Sequence, residues 1–150
     1  DIVPTFNYDL STPYFEITVP TLDTVRFSAI LEQHILSEYP MLMTGVSGTG
    51  KSAIIAQLMR EMDRDGHIVP IPVNFSAQTS SMRTQEMIEA KLDKKRKKLL
   101  GPPAGRKAVV FVDDLNMPEL DRYGSQPPVE LIRHLIDYDA LYDRKDLFLK

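Results

Sequence analysis

The stretch Thr44-Gly45-Val46-Ser47-Gly48-Thr49-Gly50-Lys51-Ser52, TGVSGTGKS, decides how the rest of this chain is read. Residues 45–52 fit the pattern G-x-x-x-x-G-K-[ST]. The run PMLMT (40–44) before it predicts a strand, and Ser52 to about Arg64 after it predicts a helix, with Ile54, Ile55, Leu58, Met59 and Met62 at helical spacing. Phosphate oxygens need several inward-pointing N–H groups, which a glycine-rich loop supplies without Cβ clashes, and the helix that follows adds the positive end of its dipole. Gly45, Val46, Ser47, Gly48, Thr49 and Gly50 are therefore the expected phosphate cradle. Lys51 is placed to reach the β and γ phosphates, and the Ser52 hydroxyl to coordinate Mg²⁺. At average residue usage the pattern arises by chance in roughly one chain of this length in a few hundred, and the strand-loop-helix context lowers that further.

Working outward, AVVFV (108–112) is a continuous β-branched run ending in Asp113-Asp114, the signature of a strand buried on both faces. An aspartate at the end of such a strand beside a phosphate loop can hold the Mg²⁺ shell, which makes Asp113 the Walker-B-type candidate. Asp114 follows as a candidate for polarising the attacking water, a task that depends on reach to the proton. Between the two motifs, HIVPIPVNF (67–75) predicts a strand after Gly66, at a sheet edge because Pro70 and Pro72 cannot donate to a ladder. A third helix is expected over about Met82 to Leu99, capped by Ser80 or Ser81, with the basic run of Lys91, Lys94, Lys95, Arg96, Lys97 and Lys98 as a solvated face in its last turns. An earlier helix is expected from Asp23 or Thr24 to before Pro40, and a last one from about Pro128 to Tyr138. The methionines at 41, 43, 59 and 62 read as strand or core positions. Residues 121–128, DRYGSQPP, read as a dense polar turn.

The composition narrows the classes. With 150 residues, 43% hydrophobic and 26% charged, the chain fits at most one ordinary globular domain, so alternating strands and helices give an α/β fold with a mostly parallel sheet flanked by helices. A net charge of −3 argues against nucleic acid as a partner. With no cysteine and three scattered histidines (His34, His67, His134), a metal would be held by oxygen. There is no signal peptide pattern and no apolar run long enough for a membrane span, and the reading is cytoplasmic. The Asp at position 1 and the apolar end DLFLK (146–150) are read as cuts from something longer.

Five segments carry a resemblance: VPTLDTVRF (19–27), TGVSGTGKS (44–52), VNFSAQTSS (73–81), FVDDLNMPELDRYGSQPP (111–128) and VELIRHLID (129–137). Together they resemble the third AAA+ module in the motor ring of an axonemal dynein heavy chain, with the specificity carried by FVDDLNMP and YG-x-QPP. The resemblance implies ATP or ADP with Mg²⁺ as cofactors, and Val19, Pro20 and Thr21 near adenine. AAA+ proteins usually have Glu where this chain has Asp114; Asp there resembles the axonemal members. It also implies a five-stranded sheet in the order 5-1-4-3-2, of which residues 39–150 supply strands 1, 2 and 3, after a lead-in arm and helix over 1–38. The sensor strand and lid would follow Lys150, and without strand 4 such a fragment is expected to be poorly stable alone. The implied partners are neighbouring AAA+ modules, microtubules through other parts of the heavy chain, and other dynein chains. The implied location is the cytoskeleton and the axoneme of a cilium or flagellum. Two functions follow: a regulatory module with slow or conditional ATP hydrolysis, or a structural module that holds nucleotide without turnover.

Overall fold

A computed structural model describes Ile17 and residues 19–150. The expected arm over residues 1 to about 20 lies almost wholly outside the described residues. The chain divides into two compact units, residues 1–61 and 62–150, and each is considered by itself.

In the first unit, helix α1 spans Leu22–Leu36. Its cap is Thr21 rather than Asp23 or Thr24. The Thr21 hydroxyl accepts from the Thr24 amide at 3.2 Å, and the Thr24 hydroxyl accepts from the Thr21 amide at 2.7 Å, a reciprocal box that satisfies two terminal donors. Helix α2 spans Lys51–Arg64, starting inside the glycine-rich motif as expected. It buries Ile54, Leu58, Met59 and Met62, so two of the four methionines are core positions. Residues 40–44 form no strand, and Met41 and Leu42 are exposed. An extended segment becomes a strand only by pairing, and nothing among the described residues pairs with this one.

The second unit begins with the last turn of α2, which closes in a Schellman motif: the His67 amide donates to Met62 O and the Gly66 amide to Asp63 O, both at 3.0 Å, with Gly66 at φ 77°. Strand β1 (Ile68–Asn74) then pairs in parallel with β4 (Lys107–Asp113), in a register that sets Ile68 opposite Lys107 and Asn74 opposite Asp113. These are the second and third expected strands, adjacent as expected. The ladder is closed by Lys107 N–H to His67 O and Phe75 N–H to Asp113 O, each 3.0 Å. Residues of odd number therefore point their backbone groups at β4, and the nitrogens of Pro70 and Pro72 point away from it, where no donor is required.

Helix α3 (Ser81–Glu89) is shorter than expected. It is followed by an antiparallel hairpin of β2 (Asp93–Arg96) and β3 (Leu99–Gly101), so the basic run lies on a hairpin and not on a helix end. The reason is electrostatic: on a continued helix Lys91, Lys94, Lys95 and Lys98 would stack at i+3 and i+4 spacing, where like charges repel. Helix α4 (Pro127–Tyr138) closes the unit with proline in its first turn.

The core of this unit is Ile71 and Val73 of β1 and Phe75 just after it, with Ile88 of α3, against which Val110, Val112, Val129, Ile132 and Leu135 pack. Strand β4 is half-buried along Val109–Val112 rather than buried on both faces. Residues 141–150 fold back on themselves, with Leu141 and Lys150 exchanging backbone hydrogen bonds of 2.9 Å and Tyr142 bridging Leu149. Among the described residues no helix is long and apolar enough to cross a membrane.

Truncating Ile71, 1% exposed, to Ala is expected to destabilise the protein by about 2–5 kcal/mol, whereas Ile136→Ala, at a site 52% exposed, should cost under about 1 kcal/mol. Urea unfolding of the two variants side by side checks the placement of α4.

Candidate nucleotide-binding site

The glycine-rich loop has the backbone its motif requires. Gly48 and Gly50 sit at φ 80° and 82°, the left-handed region that a residue with Cβ occupies only under strain, although open space surrounds the point where a Cβ would lie. The constraint is thus conformational and not one of packing. Residues 44–50 are exposed and lead directly into α2, whose first residues are Lys51 and Ser52. Val46, Ser47 and Thr49 form the loop between the glycines, and the Thr49 hydroxyl donates to Val46 O at 3.0 Å, tightening the turn.

The Lys51 ammonium lies over this loop, donating to Val46 O at 2.7 Å and Gly45 O at 3.1 Å, with Thr49 Oγ1 at 3.4 Å. A flexible, strongly hydrated cation held by carbonyls is the group that a phosphate would draw off. The loop therefore fits a phosphoryl ligand on its own geometry. Of the residues implied near adenine, Val19 is 55% exposed, Pro20 is half-buried, and Thr21 is the cap of α1.

In the second unit, Asp113 ends β4 and Asp114 stands on the turn after it. Asp114 adopts φ 54°, its amide donates to Asp113 Oδ1 at 3.1 Å, and its carbonyl accepts from Met117 N at 2.9 Å. The Asp114 residue is exposed. Among the described residues no group of three His, Cys, Asp or Glu could hold a metal ion. Ser52 lies in the first turn of α2 and Asp113 at the end of β4; a hydroxyl and a carboxylate are each ligands that a hard cation accepts.

Two residues with a part in this turn were not singled out from the sequence. Gln126, the cap of α4, makes no capping bond with its side chain. Instead its Nε2 donates to Pro118 O at 2.6 Å and Asn116 O at 3.2 Å, clasping the segment after Asp114. It is available because Pro127 and Pro128 lack amide hydrogens that would need a cap. Asp121 closes the rest of the loop: Oδ1 accepts from the Tyr123 amide at 2.8 Å and the Ser125 amide at 2.9 Å, and Oδ2 from the Ser125 hydroxyl at 2.8 Å. The Ser125 backbone and hydroxyl bonds hold the Asp121 carboxyl below the usual carboxylate range. The sequence signal was the DRYGSQPP turn itself, read there only as loop chemistry.

The family model that matches residues 6–150 is described as the P-loop containing dynein motor region. This chain belongs to that family. The chain is 52% identical over 149 residues to human dynein axonemal heavy chain 6, covering 99% of this chain and 4% of the relative. It is 49% identical over 131 residues to human dynein axonemal heavy chain 3, covering 87% and 3%, and 46% identical over 132 residues to mouse dynein axonemal heavy chain 12, covering 87% and 4%. It thus spans only a few hundredths of the length of these relatives. Membership in a P-loop dynein family establishes the α/β fold class and carries nucleotide binding with it.

Two outcomes are expected from the clasped turn. Gln126→Ala should speed amide exchange at Met117 with little change in α4, measured by hydrogen exchange. Asp121 should titrate below the ordinary aspartate range by carboxyl NMR, and Ser125→Ala should raise it. Because folding lowers this pKa, its contribution to loop stability is present above the unfolded value and is lost as pH falls through the folded one.

Proposed function

We propose that this chain is the third AAA+ module of an axonemal dynein heavy chain, that it binds ATP or ADP with Mg²⁺, and that it regulates the motor while hydrolysing ATP slowly or conditionally. The observation that carries the proposal is the glycine-rich loop, with Gly45, Gly48 and Gly50 all at positive φ and the Lys51 ammonium held over it. In this reading the backbone of residues 45–50 binds the β and γ phosphates, and Lys51 exchanges its loop carbonyls for phosphate oxygens. Ser52 and Asp113 are the residues that would hold Mg²⁺, which when bound neutralises charge between the β and γ phosphates. Asp114 would orient the water that attacks the γ-phosphorus as the bond to the β-γ bridging oxygen breaks. Val19, Pro20 and Thr21 are assigned to the adenine side by resemblance.

Residues 1–38 act as lead-in arm and helix and 39–150 as the P-loop core, with the sensor strand and lid following in the heavy chain. The partners are the adjacent AAA+ modules, to which the nucleotide state is passed, and other dynein chains; the microtubule is bound elsewhere in the heavy chain. The location is the axonemal cytoskeleton. A second reading, nucleotide held permanently as a structural ligand, is favoured by one observation: Asp114 lies exposed on a turn with a side chain one methylene shorter than glutamate.

In the complete heavy chain, Lys51→Ala should abolish nucleotide binding at this module, and Asp114→Glu should change turnover without abolishing binding. Tight binding with no turnover at this module in either wild type or Asp114→Glu would establish the structural reading, and unchanged binding in Lys51→Ala would refute both.

A further inference from the structure

The β2–β3 hairpin concentrates positive charge in a chain that is otherwise acidic. Residues 91–98 hold six cations against the single acid Asp93, a net of +5 where the whole chain totals −3. The acids of α3 are taken by the C-terminal segment: Glu86 by Arg144 at 2.9 Å and Glu89 by Lys150 at 3.2 Å. Asp143 is likewise held by Lys150 at 2.8 Å, and Asp93 pairs with Lys95 at 3.4 Å. Lys98 lies over the Phe148 ring, 4.9 Å from its centroid. Lys94, Arg96 and Lys97 are exposed and have no ion-pair partner among the described residues.

Lys94 and Lys97 line a groove with Leu99, Leu100 and Phe148, and the C-terminal segment adds Asp146 and the Lys150-paired Asp143. Leu99 is 50% exposed. Short, charged and bulged strands commonly serve only to keep a sheet edge from pairing with another chain, and the irregularity between Lys94 and Arg96 does that here. That role explains one or two lysines. It does not explain three uncompensated cations beside an exposed leucine.

We propose that the hairpin is a docking surface for a short acidic peptide segment of a partner protein, with its carboxylates on Lys94, Arg96 and Lys97 and one apolar side chain in the groove at Leu99 and Leu100. Charge complementarity selects the occupant. The strip is only a few residues long, about 3.3 Å per residue, which suits a short segment rather than a polyanion. Lys98 stands over one face of the nearby Phe148 ring, and among the described residues no second aromatic ring lines the groove to extend a base stack. The bulge interrupts the ladder, so side chains and not strand addition provide the recognition.

The test uses the complete heavy chain and a fluorescent Glu-rich peptide with one central leucine. Lys94→Gln/Arg96→Gln/Lys97→Gln should weaken binding by about tenfold, and a Lys145→Gln control should leave it unchanged. Wild-type binding should fall steeply with salt, and replacing the peptide's glutamates by glutamine should eliminate it. All four mutated positions are exposed, so the variants should fold, which a thermal melt verifies, and Lys94→Arg/Lys97→Arg should retain binding. Equal affinity in the triple variant and wild type would overturn the proposal. So would equal or tighter binding of single-stranded RNA or anionic vesicles at the same residues, which would make the hairpin a general polyanion surface.

Discussion

The parallel pairing of β1 with β4 is the constraint on which the second unit depends, and the residues of β1 restrict its register in two ways. Pro70 and Pro72 lack the hydrogen a ladder would use, so only the parity that points their nitrogens away from β4 is permitted. The same parity turns Ile71, Val73 and Phe75 onto the face that α3 and α4 cover. A slip of one residue would break the ladder at two positions and turn these apolar side chains out of the core. The hydrogen bond from Phe75 N to Asp113 O then fixes the main chain at the end of β4. The position of the candidate metal-holding carboxylate is therefore a consequence of core packing two strands wide.

The pieces legible in the sequence were those set by local chemistry. The glycine-rich loop, the start of α2, the Gly66 stop, the two proline-bearing or β-branched strands and the proline start of α4 each follow from residues within a few positions of one another. The pieces that were not legible depend on partners distant in sequence or on competing charge. Residues 40–44 have the composition of a strand but no neighbour to pair with among the described residues. Periodicity predicts a helix on to Leu99 because it does not weigh the repulsion of like charges at i+3 and i+4 spacing, and the chain turns into a hairpin there instead. The half-buried state of β4 also escaped, since a β-branched run reports what a strand can bury and not what covers it.

The loop from Asp114 to Gln126 shows how side chains stand in for regular structure. It has no ladder, yet Asp121 collects two amides and a hydroxyl, Gln126 holds two carbonyls, and Glu119 N–H reaches Ala77 O at 3.2 Å. The two prolines that open α4 release the Gln126 side chain from capping, so a helix-start device and a loop clasp are one solution. These bonds fix the path of the chain that follows β4.

Asp114 brings backbone and chemistry into conflict. At φ 54° Asp114 lies in the left-handed region, which aspartate enters more readily than most residues with a Cβ. A glutamate there would carry its carboxylate one methylene further from the main chain. The turn is held by bonds on both sides: Asp114 N–H to Asp113 Oδ1 and Met117 N–H to Asp114 O. Slow or conditional hydrolysis would then have a structural origin. On the proposed role of Asp114, the turn would keep its backbone bonds at the expense of the carboxylate's reach.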